Sequence, residues 1–425
     1  MEYTLDFAKS LDAQDPLRDF RKEFHIPKYK GKESIYFTGN SLGAMPKKAG
    51  EAIQTELEDW ANLGVEGHFH AKNPWMPYHE LFSSALAKLV GAKETEVVAM
   101  NTLTTNLHLM MVSFYRPKAT RYKILCEENA FPSDQYSLES QVKYHGYSPE
   151  DAIIEVTSRE GEFTLRTEDV IKAIDDNADE IALLMMGGVN YYTGQVFDME
   201  LITAHAKSKG IVVGWDLAHG AGNIDLKLHD WGVDFAAWCS YKYLNAGPGS
   251  ISSVFIHERH HSNPDLPRFS GWWGYRKSDR FEMKKGFVPI ESAEAWQLSN
   301  APVLAMAAYK TSLEIVHAAG FQNLRTKSKA LTKYMDFVLE QVEKNVGKRV
   351  FEMITPTEEK YRGCQFSLFV HGYDKAFFDL LTEEGVIADW RYPNVIRIAP
   401  VPLYNSFEDI YNFGKALESA IHKLD

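Results

Sequence analysis

Between about residues 95 and 256, six short runs rich in β-branched and apolar residues recur: EVVAM, YKILCE, AIIEV, EIALLMM, IVVGWD and FAAWCS. Amphipathic stretches separate several of them, notably Pro132 to Tyr144, Glu168 to Ile174 and Met199 to Lys209. Strands alternating with helices at this spacing need crossover connections, so the pattern predicts an α/β chain with a mainly parallel sheet buried on both faces.

The flanks differ in character. Pro46 to Leu63 carries Ala49, Ile53, Leu57 and Trp60 at helical spacing, which predicts a helix with proline in its first turn. The C-terminal third reads as a long helix marked by Leu331, Tyr334, Val338 and Val342, alternating CQFSLFV, a helix near Lys375, the strand VIRIA and a last helix. In that last helix Ser406 and Asp409 form a capping box, and Ile410, Phe413, Leu417 and Ile421 form a buried stripe. This predicts a smaller α+β domain joined by the N-terminal segment.

At 425 residues, two domains around a large core are the default. A net charge of -12 argues against nucleic acid or an anionic membrane as the main partner. No apolar run reaches the roughly 18 to 20 residues a spanning helix needs, and the N-terminus lacks a signal-peptide pattern. Cys126, Cys239 and Cys364, odd in number and set in strand-like runs, read as buried thiols in a reducing compartment, so the expectation is a cytoplasmic protein.

Within WGVDFAAWCSYKYLNAGPGS, Lys242 stands among apolar and small residues. A lysine that cannot reach water is costly, so it either snorkels or gives up its charge, and lysines of the second kind form Schiff bases with carbonyl compounds. Lys242 lies just past the carboxyl end of FAAWCS, where open parallel sheets bind ligands, and IVVGWD likewise ends in Asp216. A lysine and an acid so placed suit pyridoxal 5′-phosphate (PLP), whose aldehyde needs an amine and whose ring nitrogen needs an acid. An anion site for its phosphate is available where NTLTTNLHLM begins a helix, with Thr104 and the Leu103 backbone as ligands. Taken singly, these are a helix cap, a snorkelling lysine and an N-cap; their joint order on a parallel core is what points to the cofactor.

Here the sequence resembles the kynureninases, PLP-dependent enzymes of the aspartate aminotransferase fold (fold type I). The resemblance runs through GNSLG (39–43), NTLTTNLHLM, AFPSDQYSLESQ, YYTGQVFD, DLAHGAGN, DWGVDFAAWCSYKYLNAGPG, SNAP (299–302) and RIAPVPLYNS. It implies a large PLP-binding domain over 46–301 with a seven-stranded sheet, and a small domain formed by 1–45 and 302–425. It also implies hydrolysis of the Cβ–Cγ bond of L-kynurenine or 3-hydroxy-L-kynurenine, giving L-alanine and an anthranilate, with a small-molecule substrate and a homodimer whose active sites are shared. Lys242 would be the Schiff-base lysine, Asp216 the partner of the pyridine nitrogen and Tyr241 a proton relay beside the phosphate. His219 and Asp134 would contact ring substituents, Phe131 would stack on the ring, and Leu103 and Thr104 would hold the phosphate. Trp272 would reach that phosphate from the second subunit, Arg397 would clamp the substrate carboxylate, and His68, Ser41 and Asn300 would line the aryl pocket, Asn300 also completing the neighbour's cofactor site. The polar pair His68 and Asn300 further implies a preference for the 3-hydroxy substrate. Gly187 stands where relatives often carry a serine, which removes a hydroxyl near the cofactor.

Other readings of the same residues are a desulfurase, β-lyase or aminotransferase on this fold, a protein that binds without catalysis, and a metal hydrolase using His68, His70, His79, His257, His260 and His261. A desulfurase needs a cysteine in a mobile polar loop, which the three cysteines do not offer. For the metal hydrolase, His68 and His70 would share a face of a strand, yet no acid follows at ligand spacing, so no metal is expected. A binding protein does not need Lys242, Asp216, Tyr241 and Arg397 together.

Overall fold

The computed structural model describes residues 1–263 and 265–425. Its centre is a seven-stranded sheet formed by β1 (Val97–Ala99), β2 (Lys123–Glu127), β3 (Ile153–Val156), β4 (Ile181–Gly187), β5 (Val212–Asp216), β6 (Phe235–Trp238) and β7 (Ser253–Ile256) in the order β1-β7-β6-β5-β4-β2-β3. β2 through β6 run parallel, while β7 pairs antiparallel with both β6 and β1. The sheet is therefore mainly parallel, as the sequence pattern requires.

Alternation along each strand explains why both faces are dry. Val97, Leu125, Leu184, Trp215 and Ala236 enter one core cluster, and their neighbours Val98, Ile124, Leu183 and Phe235 enter another on the opposite face. α3 (Leu103–Phe114) and α4 (Pro132–Tyr144) cover the second face, following α1 (Leu5–Gln14) and α2 (Ala49–Leu63) in the chain. A third cluster gathers the C-terminal long helix and a four-stranded antiparallel sheet of β8 (Phe351–Met353), β9 (Phe366–Val370), β10 (Asp389–Arg391) and β11 (Val395–Ile398), in the order β8-β9-β11-β10. Ala8 and Phe37 of the N-terminal segment belong to it. The last helix, Phe407–Leu424, is capped by the Ser406–Asp409 box and buries Ile410, Phe413, Leu417 and Ile421.

Three local expectations fail. Pro46 is not in a helical turn: it pairs with Phe24 in a two-residue ladder, and α2 begins at Ala49. Leu57 and Trp60 face solvent, Trp60 at 62 % exposure, while Glu56 is buried. The reason is polar: Glu56 takes hydrogen bonds at 2.9 Å from Asn73 Nδ2, Trp75 Nε1 and Tyr78 Oη, and this set orients the helix. His68 and His70 lie in a single helical turn, Gly67–His70, not on a strand, so i, i+2 no longer puts them on one face.

Candidate active site

Five strand ends converge on one cavity of about 210 Å³, at the carboxyl edge where a parallel sheet opens. β2 ends there in Glu127, β4 in Gly187 and β5 in Asp216; the loop after β6 brings Tyr241 and Lys242, and the turn after β1 brings Thr102, Leu103 and Thr104. Phe131, Ser133 and Asp134 enter from the start of α4. Of the residues singled out in the sequence, Lys242, Tyr241, Asp216, Leu103, Thr104, Phe131, Asp134 and His219 all line this one space.

The acids and the base are arranged in sequence. Lys242 Nζ donates to His219 Nε2 at 3.0 Å. Burial, followed by the charges of Lys242 and Arg397, pushes His219 well below its ordinary value, so its ring is neutral. Its Nδ1 is buried without a partner among the described residues. Asp216 Oδ1 accepts the Ala218 N–H at 2.6 Å. Burial lifts both Asp216 and Asp134, and the charge of Asp216 lifts Asp134 further, whereas the Ala218 N–H and the charge of Lys242 pull Asp216 back down. Burial, then Cys239, raises the Tyr241 phenol, which keeps its proton. The Phe131 ring is 44 % exposed and meets Tyr191 edge to face at 5.2 Å, with Lys242 Nζ 5.8 Å from its centroid.

One end of the cavity suits an anion. α3 starts after Thr102 with no side chain bonded to the N–H groups of its first turn, Thr104 Oγ1 and Ser133 Oγ lie 2.7 Å apart, and the buried Ser250 hydroxyl has no partner among the described residues. Open helix N–H groups, a hydroxyl pair beside them and an unspent hydroxyl at Ser250 are what a phosphate requires. The residues present thus fit PLP: a phosphate end, a ring-nitrogen acid and an aldehyde-end amine.

Glu127 was not anticipated, although it ends YKILCE as Asp216 ends IVVGWD. Both its oxygens accept the Gly187 N–H, at 3.1 and 3.2 Å, and a Cβ on Gly187 would stand 3.0 Å from Oε1. The glycine therefore leaves room for a carboxyl in place of a hydroxyl. Burial pushes Glu127 up to about 8. A group that keeps its proton when folded and loses it when unfolded makes stability fall as pH rises, here from about 4.5 to about 8. Glu127→Gln, neutral at every pH, is expected to gain on the order of a few kcal/mol over wild type between pH 5 and pH 8.5. Denaturation midpoints at both pH values check this; a constant difference removes the assignment.

Arg397, Ser41, Trp272, Asn300 and His68 are not part of this cavity's lining. Arg397 is buried behind Tyr191, 6.0 Å from its ring, with the Ser41 hydroxyl 3.4 Å from its guanidinium. Trp272 is 45 % exposed and Asn300 is exposed. His68 packs edge-on against Trp75, and its Nδ1 lies 2.9 Å from Val65 O.

The histidines weighed as metal ligands have other partners. His79 Nε2 meets Glu294 at 2.8 Å and His260 Nε2 meets Asp234 at 2.9 Å. His257 does find an acid, Glu96, 3.5 Å away, but that carboxylate already takes the N–H groups of Lys93 and Glu258 and the ring of His229. The His229 and His257 rings stack at 4.8 Å, and one ligand atom from each lies with a Glu96 oxygen within 4.8 Å of one another. Cys126, Cys239 and Cys364 are all buried and unpaired, and burial raises each thiol, Cys364 to about 12, which suits none of them to nucleophilic attack.

Comparison with known proteins agrees. Residues 324–417 match the family described as the kynureninase C-terminal domain. The chain is 56 % identical over 418 residues to the kynureninase of Flavobacterium psychrophilum, covering 98 % of each chain. It is 54 % identical to that of Myxococcus xanthus, covering 97 % of this chain and 96 % of the other, and 47 % identical to that of Nematostella vectensis, covering 99 % and 94 %. Among solved structures it is similar to the apo cysteine desulfurase of Thermococcus onnurineus NA1, with a TM-score of 0.76 at 17 % identity over 95 % of this chain and 98 % of that one. It is also similar to the cystine C–S lyase C-DES in complex with cysteine persulfide, with a TM-score of 0.73 at 17 % identity over 91 % and 97 %. The structural neighbours share the fold, that of the fold type I PLP enzymes; with near-complete coverage at 47 to 56 % identity, the chain belongs to the kynureninase family.

Proposed function

We propose that this protein hydrolyses the Cβ–Cγ bond of L-kynurenine and its 3-hydroxy form, releasing L-alanine and the corresponding anthranilate, with PLP as cofactor. The observation that carries it is the meeting of Lys242, Asp216 and an open helix N-terminus in one cavity. Lys242 would hold the cofactor's aldehyde, Asp216 its ring nitrogen, and Leu103, Thr104 and Tyr241 its phosphate end, with Phe131 against the ring and Asp134 and His219 at its substituents. Bound there, PLP supplies a sink for the electron pair left at the substrate Cα. Lys242 Nζ, beside the neutral His219, takes the proton from Cα and returns protons to the reacting carbons. Water adds to the substrate's Cγ carbonyl carbon, whose oxygen then forms the anthranilate carboxyl group, and Tyr241, which keeps its proton, is the donor that relays one as the Cβ–Cγ bond parts. Arg397 receives the substrate carboxylate and so fixes which Cα bond is presented.

The direct test is release of anthranilate and alanine in equal amounts from L-kynurenine. His68 and Asn300 would hydrogen-bond a ring hydroxyl, and kcat/KM is expected to favour 3-hydroxykynurenine by about 10- to 100-fold. Equal values for the two substrates would remove that preference.

The protein acts as a homodimer in the cytoplasm, with Trp272 and Asn300 entering the neighbour's site. Supporting this, Trp60, Val65, Phe69, Trp272, Phe281 and Met283 leave large apolar surface in solvent on the single chain. Mixing Lys242→Ala with Trp272→Ala protein is expected to restore about a quarter of wild-type activity, because a random half of the dimers are hybrids carrying one intact site of two. If chains exchange, as shown by a tag, and no activity returns, the shared site is wrong.

A further inference from the structure

The guanidinium assigned to the substrate carboxylate is already engaged. Arg397 is 2 % exposed; it donates to Tyr191 O at 2.5 Å and to Asp389 Oδ2 at 2.6 Å, while its buried Nε has no partner among the described residues. Asp389 faces Arg397 across the β10–β11 ladder. The same Asp389 oxygen accepts the Ser41 hydroxyl at 2.5 Å and lies 3.9 Å from Arg391 Nη2. One carboxylate thus stands between two guanidiniums, and the group as a whole carries one positive charge.

That count decides what the group can do. A buried arginine with no carboxylate is expensive to hold in place, and one matched singly by a fixed carboxylate has no net charge left to attract another anion. The Arg391–Asp389–Arg397 set avoids both outcomes, and the Arg397 Nε–H remains for a new acceptor. Resting on the reading of Arg397 as the carboxylate clamp, we propose that Asp389 is a positioning residue for substrate specificity. Braced by Ser41, it fixes Arg397 by one terminal nitrogen and leaves the Nε to pair with a substrate's α-carboxylate. Amino-acid substrates are favoured over amines of the same shape through Asp389 as well as through Arg397 itself.

The test uses the PLP-loaded enzyme, with L-kynurenine as substrate and its decarboxylated amine, kynuramine, as a competitive inhibitor. Asp389→Asn is expected to raise KM for L-kynurenine about 10- to 100-fold with kcat changed less than about 3-fold. The kynuramine inhibition constant should stay within about 2-fold, a split that general loosening of the site would not produce. Ser41→Ala is expected to move KM about 3- to 10-fold in the same direction, and it carries the test if Asp389→Asn does not fold. Arg397→Gln separates the two readings. If Arg397→Gln weakens the acid and the amine alike, the clamp reading is wrong. If Arg397→Gln weakens only the acid while the Asp389 and Ser41 variants weaken both ligands equally, or neither, the role of Asp389 is overturned alone.

Discussion

Lys242→Ala is expected to lose kynurenine turnover by at least about 10⁴-fold, because the variant lacks the amine proposed both to hold the cofactor and to move the Cα proton. Among the described residues no other amine lines the cavity to replace it: the other polar side chains there are acids, hydroxyls and the neutral His219. The fold should survive, since Lys242 is half-exposed and its side-chain hydrogen bond is to His219. Wild-type protein treated with borohydride and digested should yield the labelled peptide at Lys242, and circular dichroism should show the variant intact. Turnover at the wild-type rate, or a label elsewhere, would overturn the assignment.

The second large effect belongs to Asp216. Its carboxylate lies fully buried at the end of β5, next to Gly187 in register, with one oxygen taken by the Ala218 N–H. A negative charge there, favoured by the Ala218 N–H and the nearby Lys242, favours a protonated ring nitrogen. Asp216→Asn keeps the shape and an oxygen acceptor but removes that charge, and turnover is expected to fall about 10²- to 10⁴-fold, with weaker cofactor binding by equilibrium dialysis. A variant with unchanged kcat would take Asp216 out of the chemistry. Asp134→Asn, by contrast, leaves the Asp216 charge in place and should lose much less.

Lys242, Asp216 and the Thr104 helix start were legible because each follows a strand run of ordinary length, and the carboxyl ends of parallel strands are where ligands go. Glu127 obeys the same rule; the end of YKILCE signalled it as plainly as IVVGWD signalled Asp216. β7 was harder to see, since its four residues follow a long irregular stretch and run antiparallel, without the helix that announces a crossover strand. The solvent-facing side of α2 could not be read from apolar spacing, because what orients that helix is the buried Glu56 carboxylate and its three donors from residues 73 to 78. Asp389 escaped notice for a related reason. Only the β10–β11 hairpin puts it opposite Arg397, and only the tertiary fold brings Ser41 and Tyr191 to the same guanidinium.

The GNSLG stretch acquires a mechanical meaning from where its ends are fastened. Phe37 O accepts the Ala399 N–H at 2.8 Å, just past Arg397, and Gly43 N–H donates to Tyr241 O at 2.8 Å, just before Lys242. Gly43 packs so closely on the Lys242 and Asn245 backbone that a side chain there would collide with it. The few residues between form a turn, in which the Ser41 and Leu42 N–H groups both donate to Thr38 O. This short turn joins the backbone beside Arg397 to the backbone beside Lys242, with Ser41 on it. The guanidinium proposed for the substrate carboxylate and the lysine proposed for the cofactor are thereby connected through one short stretch of backbone that does not pass through the large sheet.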